Sequence, residues 1–337
     1  MQATLAAVEV AENIYQVQIP LPFLLNIVNC YLLRDDEGWT MVDTGLHRPE
    51  GEAAWRAAFD ALGIRPRDLK RIFVTHHHPD HYGMAGWLRA WCAEDGGEKP
   101  PVFMSTREAE SVVEVWERRE AGYPALTAQL ARCGVPADLN TAIIEGVEST
   151  RQMTLPHPPR IDAFTELTPH VWMGGRRWQV ILAAGHSDAQ TLFYAPEDRL
   201  LLSADHVLMK ITPNIGQWAH TDPQPLRRFL DSLRGLRDLE VRLALPGHKT
   251  LITDWGGRID ELLAHHEHRL GAMRAAVERG AGTIYDAARA VFPFERLTIH
   301  EHRFAVAETL AHIDYLLDAG ALRRETDAAG VWHHSLT

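Results

Sequence analysis

Thr75-His76-His77-His78-Pro79-Asp80-His81 directly follows the apolar run KRIFV (70–74), and its reading decides the fold. His76, His78, Asp80 and His81 give the spacing H-x-H-x-D-H. Imidazole and carboxylate are borderline ligands suited to zinc, iron or manganese, and a loop at the end of a strand can turn several of them toward one point. The plainer alternative is a polar loop that merely happens to be rich in histidine. Three more apolar runs weigh against it, because each also ends in a ligand type: VILAAG leads to His186, LLLSA to Asp205 and RLALPG to His248. Strand ends in an α/β sandwich share an edge, so residues far apart in the chain converge there. Taken alone, Asp205 reads as a turn residue or helix cap. Together the four runs read as one metal centre.

Outward from that loop, the chain alternates in a way that favours a layered α/β architecture. From Val8 to Asp43 short β-type runs (YQVQI, NIVNCYLL, GWTMVD) predict an opening antiparallel meander. Residues 48–62 carry helical apolar spacing and stop at Gly63, and KRIFVT is a buried strand. Residues 81–92 predict a helix and PVFMS (101–105) a strand. Between 106 and about 163 the pattern turns helical and ends in the proline-rich LPHPPR, which reads as a helical insertion. Strands resume with VWMG, RWQVILAA, TLFYAP and RLLLSAD, a helix follows at 223–236, and VRLALPGH closes the body near Trp255. Helices over 257–279, 282–291 and 302–319 and a hairpin in ALRRE-TDAAG-VWHH then predict a small winged-helix-like module. This gives an α/β domain over 1–255 and a C-terminal domain over 256–337.

Bulk properties fit a folded globular chain. It has 337 residues, 46% of them apolar and 23% charged. The net charge of −11 disfavours a partner held through many phosphates, so nucleic acid is not expected. Cys30, Cys92 and Cys133 are too widely spaced for zinc or redox pairs and read as reduced core thiols. The opening residues, MQATLAAVEVAENIYQVQIP, lack a basic targeting segment and any membrane-spanning run, which makes a cytoplasmic location the expectation, with no membrane partner. A homo-oligomer is compatible with the sequence.

The ordered set HxHxDH, GH, D and GH resembles the metallo-β-lactamase superfamily in its glyoxalase II-like branch, over about residues 8–250. The resemblance implies an αββα sandwich and two divalent ions, zinc first, with iron or manganese also compatible. It implies that His76, His78 and His186 hold one ion, that Asp80, His81 and His248 hold the other, and that Asp205 bridges them. Asp43, in the V-D-T-G turn, matches a position that supports a ligand histidine from behind and fixes its tautomer. Two cations sharing a water bring its pKa from about 15.7 to near 7, so the expected nucleophile is a metal-bridging hydroxide. Asp80 is the catalytic residue in this scheme, orienting that hydroxide and passing on its proton. Diiron oxygen-reducing relatives typically carry glutamate where this chain has His78, so hydrolysis is preferred over redox chemistry.

The expected substrate is a small carbonyl compound: a thioester, lactone or other ester. The runner-up is phosphodiester cleavage, including endoribonuclease activity. A third class is a non-catalytic metal-binding or regulatory protein on the same scaffold. After the bridging aspartate, Met209, Ile211, Asn214 and Trp218 are candidates to line the pocket, and Trp116 and Tyr123 of the insertion are candidates to roof it. The tail histidines His265, His266, His268, His300 and His302 read as a solvated helical face and not as a metal site. Residues 258–337 hold nine Lys and Arg against twelve Asp and Glu, with Arg323 and Arg324 the sole adjacent basic pair, which makes a poor phosphate clamp.

Overall fold

The apolar runs become two sheets packed face to face in the computed structural model, which describes residues 6–164 and 168–337. The first five residues of the segment read for targeting signals lie outside the described residues. The first sheet holds β1 (Val8–Ala11), β2 (Ile14–Pro20), β3 (Ile27–Asp35), β4 (Gly38–Val42), β5 (Leu69–Phe73), β6 (Val102–Ser105) and β7 (Asp162–Phe164), in that order. Its first four strands form the expected antiparallel meander, and β4 through β7 run parallel. The second sheet runs in the reverse order from β12 (Leu243–Pro246) through β11 (Leu200–Ala204), β10 (Gln190–Ala195) and β9 (Arg176–Ala183) to β8 (His170–Met173). A separate hairpin, β13 (Leu322–Thr326) with β14 (Trp332–Leu336), ends the chain.

Side-chain alternation explains the layering. Leu200 and Leu202 of β11 and Phe193 of β10 meet Tyr31, Leu33, Val42 and Phe73 of the first sheet between the layers, while Leu201 and Leu192 point outward to helices. Strands buried on both faces read as unbroken apolar runs, which is why TLFYA and LLLSA show no period of two. The outer face of the first sheet is covered by α1 (Pro49–Leu62), whose Trp55, Ala58 and Phe59 are buried, and by α3 (Ala85–Glu94), which follows the single turn α2 (Pro79–Tyr82). Proline at the first position, Glu50 and Glu52 in the first turn and a left-handed Gly63 (φ 67°) bound α1 as its sequence predicts.

The insertion supplies α4 (Thr106–Val112), α5 (Arg119–Arg132) and α6 (Ala137–Gln152). Its helical part ends at Gln152, and residues 162–164 are a strand beside β6. The segment expected to be helical to about 163 therefore closes as a sheet edge, because LPHPPR cannot continue a helix. On the other side, α7 (Pro225–Leu236) and α8 (Trp255–Glu278) cover the second sheet. The long α8 continues past the body, so that Ile259 and Leu262 pack under the second sheet while Met273 and Val277 join α9 (Ile284–Val291) and α10 (Ile299–Asp318). Leu130, Cys133 and Ile143 of the insertion share that last core, so insertion and tail pack as one body.

Candidate metal centre

Five strand ends meet at one edge of the sandwich. Asp43 follows β4, the histidine loop follows β5, His186 follows β9, Asp205 follows β11 and His248 follows β12. The backbone there is unusual: Asp43 (φ 62°), Ala204 (φ 44°) and Lys249 (φ 63°) are left-handed without being glycine, a conformation that persists only where its surroundings enforce it. The two Gly-His pairs have a steric reason. A Cβ on Gly185 would fall 2.3 Å from Phe229, and one on Gly247 would fall 2.2 Å from an oxygen of Asp205.

All seven predicted ligands converge. Three groups have their ligand atoms within 4.8 Å of one another: His76, His78 and His186; His76, His81 and Asp205; and Asp80, His81 and His248. Asp205 Oδ2 lies 3.4 Å from His81 Nε2, 3.7 Å from His186 Nε2 and 3.2 Å from His248 Nε2, so one carboxylate oxygen reaches both sides of the cluster. Asp80 Oδ2 is 3.3 Å from His248 Nε2. The Asp80 side chain is 17% exposed against 7% for Asp205 and 1% for His248, which puts Asp80 on the accessible side.

Each ring is aimed by the nitrogen it does not present. The Nδ1–H of His81 donates to Asp43 Oδ2 at 2.8 Å, that of His186 to the Asn214 carbonyl at 3.0 Å and that of His248 to the Ile27 carbonyl at 2.7 Å. Asp43 also accepts from the Thr75 backbone N–H at 2.8 Å and from its hydroxyl at 3.0 Å, which leaves the Thr75 oxygen to accept from His76 Nδ1–H at 3.0 Å. Carboxylate and carbonyl partners fix these tautomers, so the other nitrogens offer lone pairs. His81 Nε2, His186 Nε2, His248 Nε2 and Asp205 Oδ1 are buried without a hydrogen bond, while His76 Nε2 meets His78 Nδ1 at 3.0 Å. Orphaned buried groups are costly, and a divalent cation is what this donor set fits.

Electrostatics agree. Burial draws His76 and His78 well below the ordinary imidazole value, with neighbouring imidazoles adding to the effect. Burial also opposes charge on His81 and His248, yet Asp205 and the other carboxylates override it, raising His81 strongly and His248 to about 9. Burial likewise acts against an ionised Asp205, but His248 and His81 hold its carboxyl well below the usual range.

Three supports escaped the sequence reading. His77 turns away from the cluster: Glu108 Oε2 accepts from its Nδ1–H at 2.7 Å and from its backbone N–H at 3.0 Å, and Glu108 Oε1 accepts from Ala189 N–H at 2.8 Å. One fully buried carboxylate thus ties the histidine loop to the His186 loop; its signal was the capping pattern Ser105-x-x-Glu108 at the start of α4. Asp188 clamps the same loop by pairing with Arg107 at 2.8 Å and Arg228 at 3.0 Å. The Asn29 amide donates to the Pro246 and Lys249 carbonyls at 3.0 and 3.1 Å and so holds the His248 turn.

The remaining candidates separate. Asn214 touches His186, and Trp218 lies against Phe304 of α10 with centroids 6.0 Å apart. Met209 packs against the core under the second sheet, and the Ile211 carbonyl accepts from Arg258 at 2.6 Å; these contacts are structural. Trp116 donates to the His77 carbonyl at 2.7 Å, whereas Tyr123 bonds Glu148 within the insertion. The tail histidines are only in part the solvated face expected, with His268 exposed. His266 is buried, because its face of α8 packs on α7 and α10, and His300 stacks on Phe23 with centroids 4.7 Å apart. Among the described residues no triad of metal-capable side chains forms in the tail.

The family model described as metallo-beta-lactamase superfamily matches residues 24–248, and that described as metallo-beta-lactamase-like, C-terminal domain matches residues 270–337. The probable metallo-hydrolase YqjP of Bacillus subtilis is 23% identical over 318 residues, covering 90% of this chain and 92% of its own. The crystal structure of a metallo-beta-lactamase family protein from Thermus thermophilus is 33% identical, with a TM-score of 0.85, covering 97% of this chain and 99% of that one. A beta-lactamase domain protein from Burkholderia ambifaria is 29% identical, with a TM-score of 0.87, covering 100% and 96%. With two thirds of its length matched by the family model and its strand-end ligands gathered at one edge, the chain belongs to the metallo-β-lactamase superfamily.

Proposed function

We propose that this protein is a metal-dependent hydrolase of small carbonyl substrates: thioesters, lactones or other esters. The observation that carries the proposal is the single Asp205 oxygen shared by His81, His186 and His248, whose aimed Nε2 atoms are buried without a hydrogen bond. His76, His78 and His186 would hold one ion, Asp80, His81 and His248 the other, and Asp205 both. Zinc is the first choice, and iron and manganese suit the same donors. A metal pair there supplies an ionised water near neutral pH and a Lewis acid for the carbonyl oxygen. The chain's own part is positional. Asp43, Asn214 and the Ile27 carbonyl hold the imidazoles, and Asp80, on the open side, orients the attacking water and takes its proton toward the leaving group.

The glyoxalase II-like branch remains part of this proposal, as does a winged-helix character for the three helices and hairpin of the tail. Three buried, unpaired cysteines suit a reducing, cytoplasmic setting. A nucleic-acid substrate is disfavoured because the adjacent basic pair is engaged: Arg324 bonds Asp314 at 2.5 Å and Arg323 bonds Ser335 at 2.7 Å. The test is a metal-loaded sample run against thioesters, lactones, β-lactams and phosphodiesters, with His76→Ala as control. Turnover of a carbonyl substrate that the variant lacks is expected. Far faster cleavage of a bis-nitrophenyl phosphate would reverse the ranking, and a chain that takes up neither zinc nor manganese would leave only a scaffold.

A further inference from the structure

Helix α10 reaches the metal edge through one residue. Asn214, whose carbonyl holds His186, donates its amide to Glu308 Oε2 at 3.0 Å and to the Phe304 carbonyl at 3.4 Å. The first turns of the helix therefore overhang the cluster, and they bring His300, Arg303 and Phe304 with them. Arg303 acts on His220, which packs edge-on against His77 with centroids 5.7 Å apart.

Arg303 lacks the partners that four other part-buried arginines have. Arg107 and Arg228 share Asp188, Arg269 lies 3.2 Å from Glu308, and Arg258 bonds two carbonyls and Glu261. Among the described residues no carboxylate lies within ion-pair distance of Arg303, and its Nε is buried with no acceptor. What holds it is aromatic: the guanidinium lies 5.0 Å from the Trp218 ring centre and 4.9 Å from that of Phe304. Contact with ring faces leaves the N–H edges of a guanidinium free, and those edges match a carboxylate or phosphate in a two-point contact. The neighbouring wall is aromatic, with Phe23 stacked on His300 and His300 edge-on to Phe304 at 4.6 Å. Burial lowers the guanidinium to about 10, so it stays charged at neutral pH.

We infer that Arg303 is the anchor for a compact oxyanion on the substrate, a carboxylate or phosphate carried on a flat apolar body whose scissile carbonyl then lies over the metal cluster. This rests on the proposed hydrolase reading and narrows it to anionic esters and thioesters. Trp218 and Phe304 act as positioning residues for the guanidinium.

Binding to the metal-free full chain separates the anchor from the chemistry. Calorimetric titration with benzoate, phenyl phosphate and neutral benzamide is expected to show saturation by at least one anion and none by benzamide. Arg303→Gln should weaken that anion at least tenfold, and Arg303→Lys should restore part of it, with thermal midpoints reporting that both variants fold. The stronger of the two anions identifies the oxyanion. In the metal-loaded enzyme, a nitrophenyl ester bearing a terminal carboxylate should exceed its neutral methyl-terminated counterpart in kcat/KM, mainly through KM, and Arg303→Gln should compress that ratio at least tenfold. Equal anion binding by wild type and Arg303→Gln, or no distinction between benzoate, phenyl phosphate and benzamide, overturns the anchor. Hydrolysis of both esters with no dependence on Arg303 removes the anchor alone. Arg303-dependent anion binding with no hydrolysis of either ester removes the hydrolase reading and supports the anchor.

Discussion

The loop at 76–81 and the helices of the tail both carry closely spaced histidines, yet their imidazoles keep different company. In the loop, Asp43, Asp80 and Asp205 surround the rings and draw positive charge in, raising His81 well above the ordinary value and His248 to about 9. In the tail, His266 and His312 are also buried, and their rings meet at 3.1 Å, but Glu308 turns to Arg269 and Asn214 instead. Burial then drives His266 down to about 2 and His312 to about 3. Imidazole density alone does not make a metal centre. Carboxylates among the rings do, because they supply the charge that a divalent cation must balance.

That contrast can be broken by mutation. His76→Ala is expected to abolish turnover and remove metal, measured by elemental analysis, while His266→Leu keeps the wild-type metal content. Metal loss in the tail variant would erase the distinction. Asp80→Ala should likewise abolish turnover with the thermal midpoint preserved, and retention of most activity would refute the proton-handling role. A smaller effect belongs to the residue behind the ligands: Asp43→Asn should weaken metal binding roughly 10- to 100-fold in a chelator competition, because His81 loses its orienting acceptor.

The smallest expected effect concerns His77, the loop histidine that turns away. Burial opposes a charge on Glu108, but His77 and two backbone N–H groups outweigh it and lower its carboxyl from 4.5 to about 2. A depressed carboxyl contributes stability that is fully present above the unfolded value and is lost as pH falls through the folded one. Glu108→Gln should therefore be less stable at neutral pH and show a flatter decline between about pH 4.5 and 2 in denaturant titrations. An unchanged acid limb would show that the His77–Glu108 contact carries no such linkage.

The metal edge was legible because each ligand directly follows an apolar run, and a run buried on both faces is hard to mistake. Helix boundaries were legible where Pro49 and Gly63 mark them. What stayed hidden depends on which side chains meet across the fold. Glu108, Asp188 and Asn29 lie 31 or more positions from most of the groups they bond, and no local pattern announces such pairs. The tail histidines were misread for the opposite reason. HHEHR looks solvated in isolation, and only α7 and α10, packed on that stretch of α8, put His266 inside.

Helix α8 is 24 residues long, about 36 Å, and serves two cores in succession. The insertion packs into the second of these cores beside the tail, and the same tail helix carries Phe304 and Arg303. Inheritance of substrate preference is thereby constrained. A change in volume at Leu130 or Ile143 presses on Val306 and Leu310, one turn or two beyond Arg303, so insertion and tail are expected to drift together across relatives. The ligand edge, anchored on strand ends, meets that drift through Asn214.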